Sequence, residues 1–166
     1  YEDRMPSFLG LIVYFGKTKS RYMDAALLFK TANAFVIPGW LLLLLMPNWK
    51  YTAPLIRYGM VVVLAVLYAC LILGSISGFN GESFSTLENV KHLFQNDNAV
   101  LAGWIHYLAF DLLIGTHIVE QAKLYQVPRW LYVFTLPLTF MFGPMGYLLF
   151  VVMKSVKGLT AQKQNQ

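Results

Sequence analysis

Four apolar blocks, at about 25–46, 53–74, 99–120 and 131–153, are separated by short stretches that hold nearly every charge in the chain. Each block reaches the ~20 residues that a helix needs to cross bilayer hydrocarbon. A backbone in hydrocarbon must satisfy its own hydrogen bonds, so such blocks form helices. The expectation is an all-α integral membrane protein: a four-transmembrane-helix bundle forming a single membrane domain over residues 1–166. Composition agrees, with 57% hydrophobic and 13% charged residues, where a soluble domain carries about a quarter charged.

The net charge of +5 fits membrane flanks better than nucleic acid, and no nucleic-acid partner is expected. Residues 1–24 mix an apolar stretch, Phe8 to Phe15, with Lys17, Lys19 and Arg21. They are too short to span and are expected at the interface. In the loop after the second block, Leu87, Val90, Leu93 and Phe94 repeat at helical spacing behind Ser85 and Thr86. That pattern predicts a short, capped surface helix.

Four spans would put both termini on one side. Eight Lys and Arg would then lie on that side against four on the other, which predicts that both termini face the cytoplasm or the stroma. The start at Tyr1 leaves an upstream segment open, and with it a plastid or a bacterial inner membrane as the host compartment. Cys70 is the sole cysteine. It excludes an internal disulfide and multi-thiolate metal sites and is expected to pack as a small apolar residue.

The third block concentrates the costly groups: Trp104, His106, Asp111, His117 and Glu120 fall on one helix. Ionisable groups at that depth usually face protein. At 100° per residue His106, Phe110 and His117 share one face, while Trp104, Asp111 and Gly115 line nearly the opposite one, His106 and Asp111 being about 140° apart. Asp111 reads equally as a hydrogen-bonding strut and as a functional group. His117, Glu120 and Lys30 read as interfacial. First and third helices would run parallel, bringing Lys30 and Asn33 to the depth of Trp104, His106 and Tyr107, with Asn33 also within reach of Asp111. The fourth block contains Phe142-Gly143-Pro144-Met145-Gly146, where a kink or close helix contact is expected.

Metal chemistry finds little footing. A bis-histidine haem needs ligands on two facing helices, and both membrane histidines share one; His92 is in a loop. No complete zinc set is present, so no metal and no cofactor is expected. The 12 Phe, 10 Tyr and 4 Trp supply surface for a long apolar ligand, although aromatic residues are also usual in membrane belts.

The segment Gly103-Trp104-Ile105-His106-Tyr107-Leu108-Ala109-Phe110-Asp111-Leu112 resembles the abscisic-acid-deficient-four-like family of small membrane proteins. The resemblance extends to Asn33-Ala34-Phe35-Val36-Ile37-Pro38-Gly39-Trp40 and to Phe142-Gly143-Pro144-Met145-Gly146-Tyr147. It implies a four-helix, carotenoid-associated protein, whose plant members serve neoxanthin formation by isomerising an epoxy-xanthophyll to an allenic one. The site residues it suggests are His106 and Asp111 as general acid and base, with Asn33 as a partner. Trp40, Trp104, Tyr107 and Phe110 would contact the ligand. Expected partners are membrane lipids, a carotenoid or other long apolar ligand, and further copies or a larger membrane complex. The rival readings are a non-enzymatic pigment-, lipid- or partner-binding subunit and a small transporter.

Overall fold

A computed structural model describes residues 25–75 and 81–164, and these are helical with no strand. The expected interfacial segment 1–24 lies outside the described residues. Helix α1 is Ala25–Leu45. Helix α2 starts as Thr52–Pro54, passes through a π-helical stretch, Leu55–Val61, and continues as Val62–Ser75. The short α3, Leu87–Leu93, is capped by Thr86, whose hydroxyl accepts from the Asn89 amide at 3.2 Å. This is the surface helix expected from the loop pattern. Helix α4 is Asp97–Leu124, opened by Asn96, whose side chain accepts from the Asn98 and Ala99 amides at 2.9 and 3.3 Å.

Among the described residues three helices are long and apolar enough to cross a membrane: Ala25–Leu45, Thr52–Leu73 and Asp97–Leu124. Of these, α4 is the centre. In its most apolar stretch 56% of residues are buried, against 28% for α1 and 17% for α2. A helix covered by protein rather than lipid is where polar side chains are tolerated. Close approach needs small residues: a Cβ at Gly39 would lie 3.0 Å from the Met60 sulfur and 3.1 Å from Leu112, and one at Gly115 would lie 2.7 Å from the Trp40 ring. Cys70 on α2 is exposed rather than packed inside.

A continuous fourth helix over 131–153 does not form. The chain makes α5, Arg129–Tyr132, then α6, Thr135–Phe142, then α7, Pro144–Gln164. Between α6 and α7 Gly143 adopts φ +39°, ψ −92°, a region that glycine tolerates best. Pro144 follows, and proline both disfavours helical geometry in the residue before it and suits the first turn of the next helix. The expected kink is in fact a reversal. In a straight helix residues 139 and 146 would be about 10 Å apart, yet a Cβ at Gly146 would fall 2.1 Å from the Thr139 hydroxyl and 2.3 Å from its backbone nitrogen.

The two arms run in opposite directions along α4. Descending α6 brings the Phe140 carbonyl to Tyr107, where the Tyr107 hydroxyl donates to it at 3.2 Å. Then α7 climbs beside α4 in the same direction: the rings of His117 and Tyr147 are 6.1 Å apart, and Lys154 Nζ donates to Gln121 Oε1 at 3.0 Å. Arg129 fixes the foot of the hairpin by donating to the Leu44 carbonyl at the end of α1.

Candidate functional site

Asp111 stands at the middle of α4 and is buried, with 7% exposure. Its carboxylate is aimed at the reversal: a Cβ on Gly143 would lie 2.5 Å from Oδ1 and 3.5 Å from Oδ2. Among the described residues Oδ2 has no hydrogen-bond partner. Leaving a buried oxygen unsatisfied costs about 1–3 kcal/mol or more when charged, so a chain that only needed packing here would gain by an apolar residue. One turn earlier on the same face, the Tyr107 hydroxyl hydrogen-bonds Phe140 and also interacts with the carboxylate.

An aromatic strip leads away from this point. The Tyr107 and Trp104 rings are 5.5 Å apart, and Trp104 and Phe29 are 5.2 Å apart. Trp104 Nε1 donates to Asn33 Oδ1 at 3.2 Å, while Asn33 Nδ2 donates to the Phe29 carbonyl at 2.7 Å. Thus Asn33 is occupied in joining α1 to α4, not in facing Asp111. On the other side of Phe140, its ring meets Trp40 edge-on at 5.3 Å. A pocket of about 320 Å³ opens there, lined by Ile37, Trp40, Leu41, Leu44, Pro137 and Phe140. Every lining residue is apolar. From Phe29 to Leu44 along α1 the strip and pocket extend about 22 Å.

His106 does not join this site. Its ring stacks on Phe110 at 4.5 Å and meets Tyr68 of α2 at 5.5 Å, so it faces α2 while Asp111 faces the hairpin. Phe110 is 54% exposed and turned outward beside it. Of the residues singled out from sequence, the structure therefore groups Asp111 with Tyr107, links Asn33 with Trp104, sets Trp40 in the pocket wall, and leaves His106 and Phe110 apart. Gly143, Pro137 and Phe140 were not singled out as site residues. The Phe-Gly-Pro-Met-Gly break was the available signal for the first of them.

Charged groups sit at the end of α4. Arg57, carried by the π-helical stretch, pairs with Glu120 at 2.6 Å, and Lys123 donates to the Pro47 carbonyl. These contacts fasten the end of α4 to the start of α2 and to the turn after α1. No group of three or more His, Cys, Asp or Glu side chains comes together among the described residues.

No curated protein and no solved structure gives a significant match to this chain. A family model, ABA DEFICIENT 4-like, matches residues 27–150, from the first turn of α1 through the first turns of α7. The match takes in Asn33, Trp40, Tyr107, Asp111 and Gly143 together, and the chain belongs to the ABA DEFICIENT 4-like family.

Proposed function

We propose that this chain is a carotenoid-associated integral membrane protein that isomerises an epoxy-xanthophyll to an allenic alcohol, with the chemistry at Asp111 and Tyr107. The observation that carries the reading is the buried Asp111 carboxylate, one oxygen without a hydrogen-bond partner among the described residues, one turn from Tyr107, which stacks on Trp104 and donates to the carbonyl of Phe140 in the pocket wall. Family membership supports the substrate class, because plant members serve neoxanthin formation. The host membrane is a bacterial inner membrane or a plastid membrane, and the partners are lipids and the pigment itself.

The reaction is balanced without redox change. The Asp111 carboxylate takes a proton from a polyene carbon; the electron pair forms the new double bond of the allene as the epoxide C–O bond breaks. Tyr107 turns its hydroxyl from Phe140 to the epoxide oxygen and donates its proton, giving an alcohol. Asp111 then returns its proton to Tyr107, restoring both groups. Positioned acid–base groups of this kind are worth roughly 10²–10⁴-fold in rate. This replaces His106 by Tyr107 as the partner of Asp111, since the His106 ring is engaged with Phe110 and Tyr68.

A pigment-binding subunit is the second reading, favoured by the wholly apolar pocket lining. The experiment is expression in a host that accumulates violaxanthin, followed by pigment chromatography. A new allenic product supports catalysis. Coloured purified protein with unchanged pigment supports the binding subunit, and colourless protein with unchanged pigment refutes both.

A further inference from the structure

The hairpin has the dimensions of a half-crossing. The apolar part of α7, Pro144–Val156, rises only about 20 Å at 1.5 Å per residue, against a hydrocarbon core of about 30 Å. The segment Arg129 to Phe142 rises about 21 Å. Neither arm spans alone, and they do not continue one another, because Gly146 is packed on Thr139.

Three contacts fix where each arm begins and ends. Arg129, at the start of α5, reaches the Leu44 carbonyl where α1 ends. The tip, Gly143, lies against Asp111 at the midpoint of α4. Lys154 of α7 is held where α4 ends, 3.0 Å from Gln121 Oε1 and 3.8 Å above the Tyr125 ring. The hairpin therefore leaves by the face it entered.

The charge distribution changes with it. In a four-span arrangement eight Lys and Arg lie on the N-terminal side against four; moving Lys154, Lys157 and Lys163 across makes this five against seven. On the seven-charge face the one acid in the flanking positions is Glu120, already paired with Arg57. Among the described residues the other face carries Glu82, Glu88 and Asp97. Excess Lys and Arg mark the cytoplasmic side and are attracted to its anionic lipids.

We propose that α5–α7 is a re-entrant hairpin, so that among the described residues α1, α2 and α4 are the full spans, the start of α1 and the end of α7 lie on opposite sides of the membrane, and the Lys154-bearing end of α7 rests on the anionic lipid surface of the cytoplasmic or stromal leaflet. Backbone that reverses at membrane depth is tolerated only where protein shelters it. Asp111 and the flank of α4 provide that shelter.

The test uses the full chain in a bacterial inner membrane, with Cys70→Ser as background and one reporter at a time: Asn48→Cys, Ser85→Cys or Gln164→Cys. An impermeant maleimide is applied to intact and to permeabilised cells. The expected result is that Ser85→Cys labels in intact cells, whereas Asn48→Cys and Gln164→Cys label only after permeabilisation. Labelling of Gln164→Cys together with Ser85→Cys, on either side, overturns the re-entrant hairpin. Joint labelling of Asn48→Cys and Gln164→Cys in intact cells overturns the assigned leaflet. A fluorescent protein that matures only in the cytoplasm, fused after Gln166, gives a second readout: bright cells are expected, and dark cells with full-length protein in the membrane overturn the proposal.

Discussion

The carboxylate of Asp111 touches the backbone of Gly143 closely enough that a methyl group there would fall 2.5 Å from Oδ1. One residue at the middle of α4 thus dictates that its neighbour across the helix interface has no side chain. Two constraints act together, since Gly143 also has φ +39°, a conformation costing a non-glycine residue about 1–3 kcal/mol. Gly143→Ala is expected to destabilise the protein by about 2–4 kcal/mol, read as a lowered melting temperature in detergent. Adding Asp111→Ala removes the contact but not the backbone strain, so it should recover part of the loss and no more. Such coupling is what a double-mutant cycle measures.

A second contact of the same kind governs the pocket. Any Cβ at Gly115 meets the Trp40 ring at 2.7–2.8 Å, and Trp40 is backed by Phe140 at 5.3 Å. The ring cannot retreat without entering the space bounded by Ile37, Leu41 and Pro137. Gly115→Val is therefore expected to cost about 1–3 kcal/mol through overpacking and to shrink the pocket. Trp40→Ala in the same background should restore the packing. Melting temperature and pigment retained after purification check the two effects separately.

The Arg57–Glu120 pair is short, at 2.6 Å, but each side chain is 36% exposed. Exposed pairs contribute about 0.2–1 kcal/mol in water. A cycle of Arg57→Gln and Glu120→Gln should give a coupling within that range, falling as salt is raised. A coupling well above it would place the pair in a drier environment than its exposure indicates.

Three helices were legible from hydropathy, because a helix in lipid has to be both apolar and about 20 residues long. The expected 25–46, 53–74 and 99–120 differ mainly at their ends from Ala25–Leu45, Thr52–Leu73 and Asp97–Leu124. The fourth block was not legible in this way. A hydropathy window registers apolar length, and two arms joined by Gly143-Pro144 present the same length as one crossing. Only the packing of Gly146 on Thr139 distinguishes them. Within the site, Asp111 stood out as a carboxylate in an apolar helix, and the parallel run of α1 and α4 already placed Asn33 level with Trp104, where the structure joins them at 3.2 Å. The pairing of His106 with Asp111 ran against their own angular separation of about 140°. Tyr107, read as a ligand contact, lies on the Asp111 face of α4, and its bond to Phe140 could not be foreseen because it depends on the return of α6 beside α4.

The role of Asp111 can be separated from its packing. If the carboxylate were a strut, its loss would cost stability, but Oδ2 has no hydrogen-bond partner to lose among the described residues. Asp111→Asn keeps the shape and removes the charge, so the unfolding free energy is expected to stay within about 1 kcal/mol of the parent. Conversion of violaxanthin should nevertheless fall by about 100-fold or more, the order expected for loss of a positioned general base. Tyr107→Phe should lose conversion in the same way while also giving up its bond to the Phe140 carbonyl, 3.2 Å long in the parent. His106→Ala, altering only a ring packed between Phe110 and Tyr68, should leave conversion within a few-fold of the parent. The reverse ranking, with His106→Ala inactive and Asp111→Asn active, would move the chemistry to the α2 side of α4 and refute the assignment of the base.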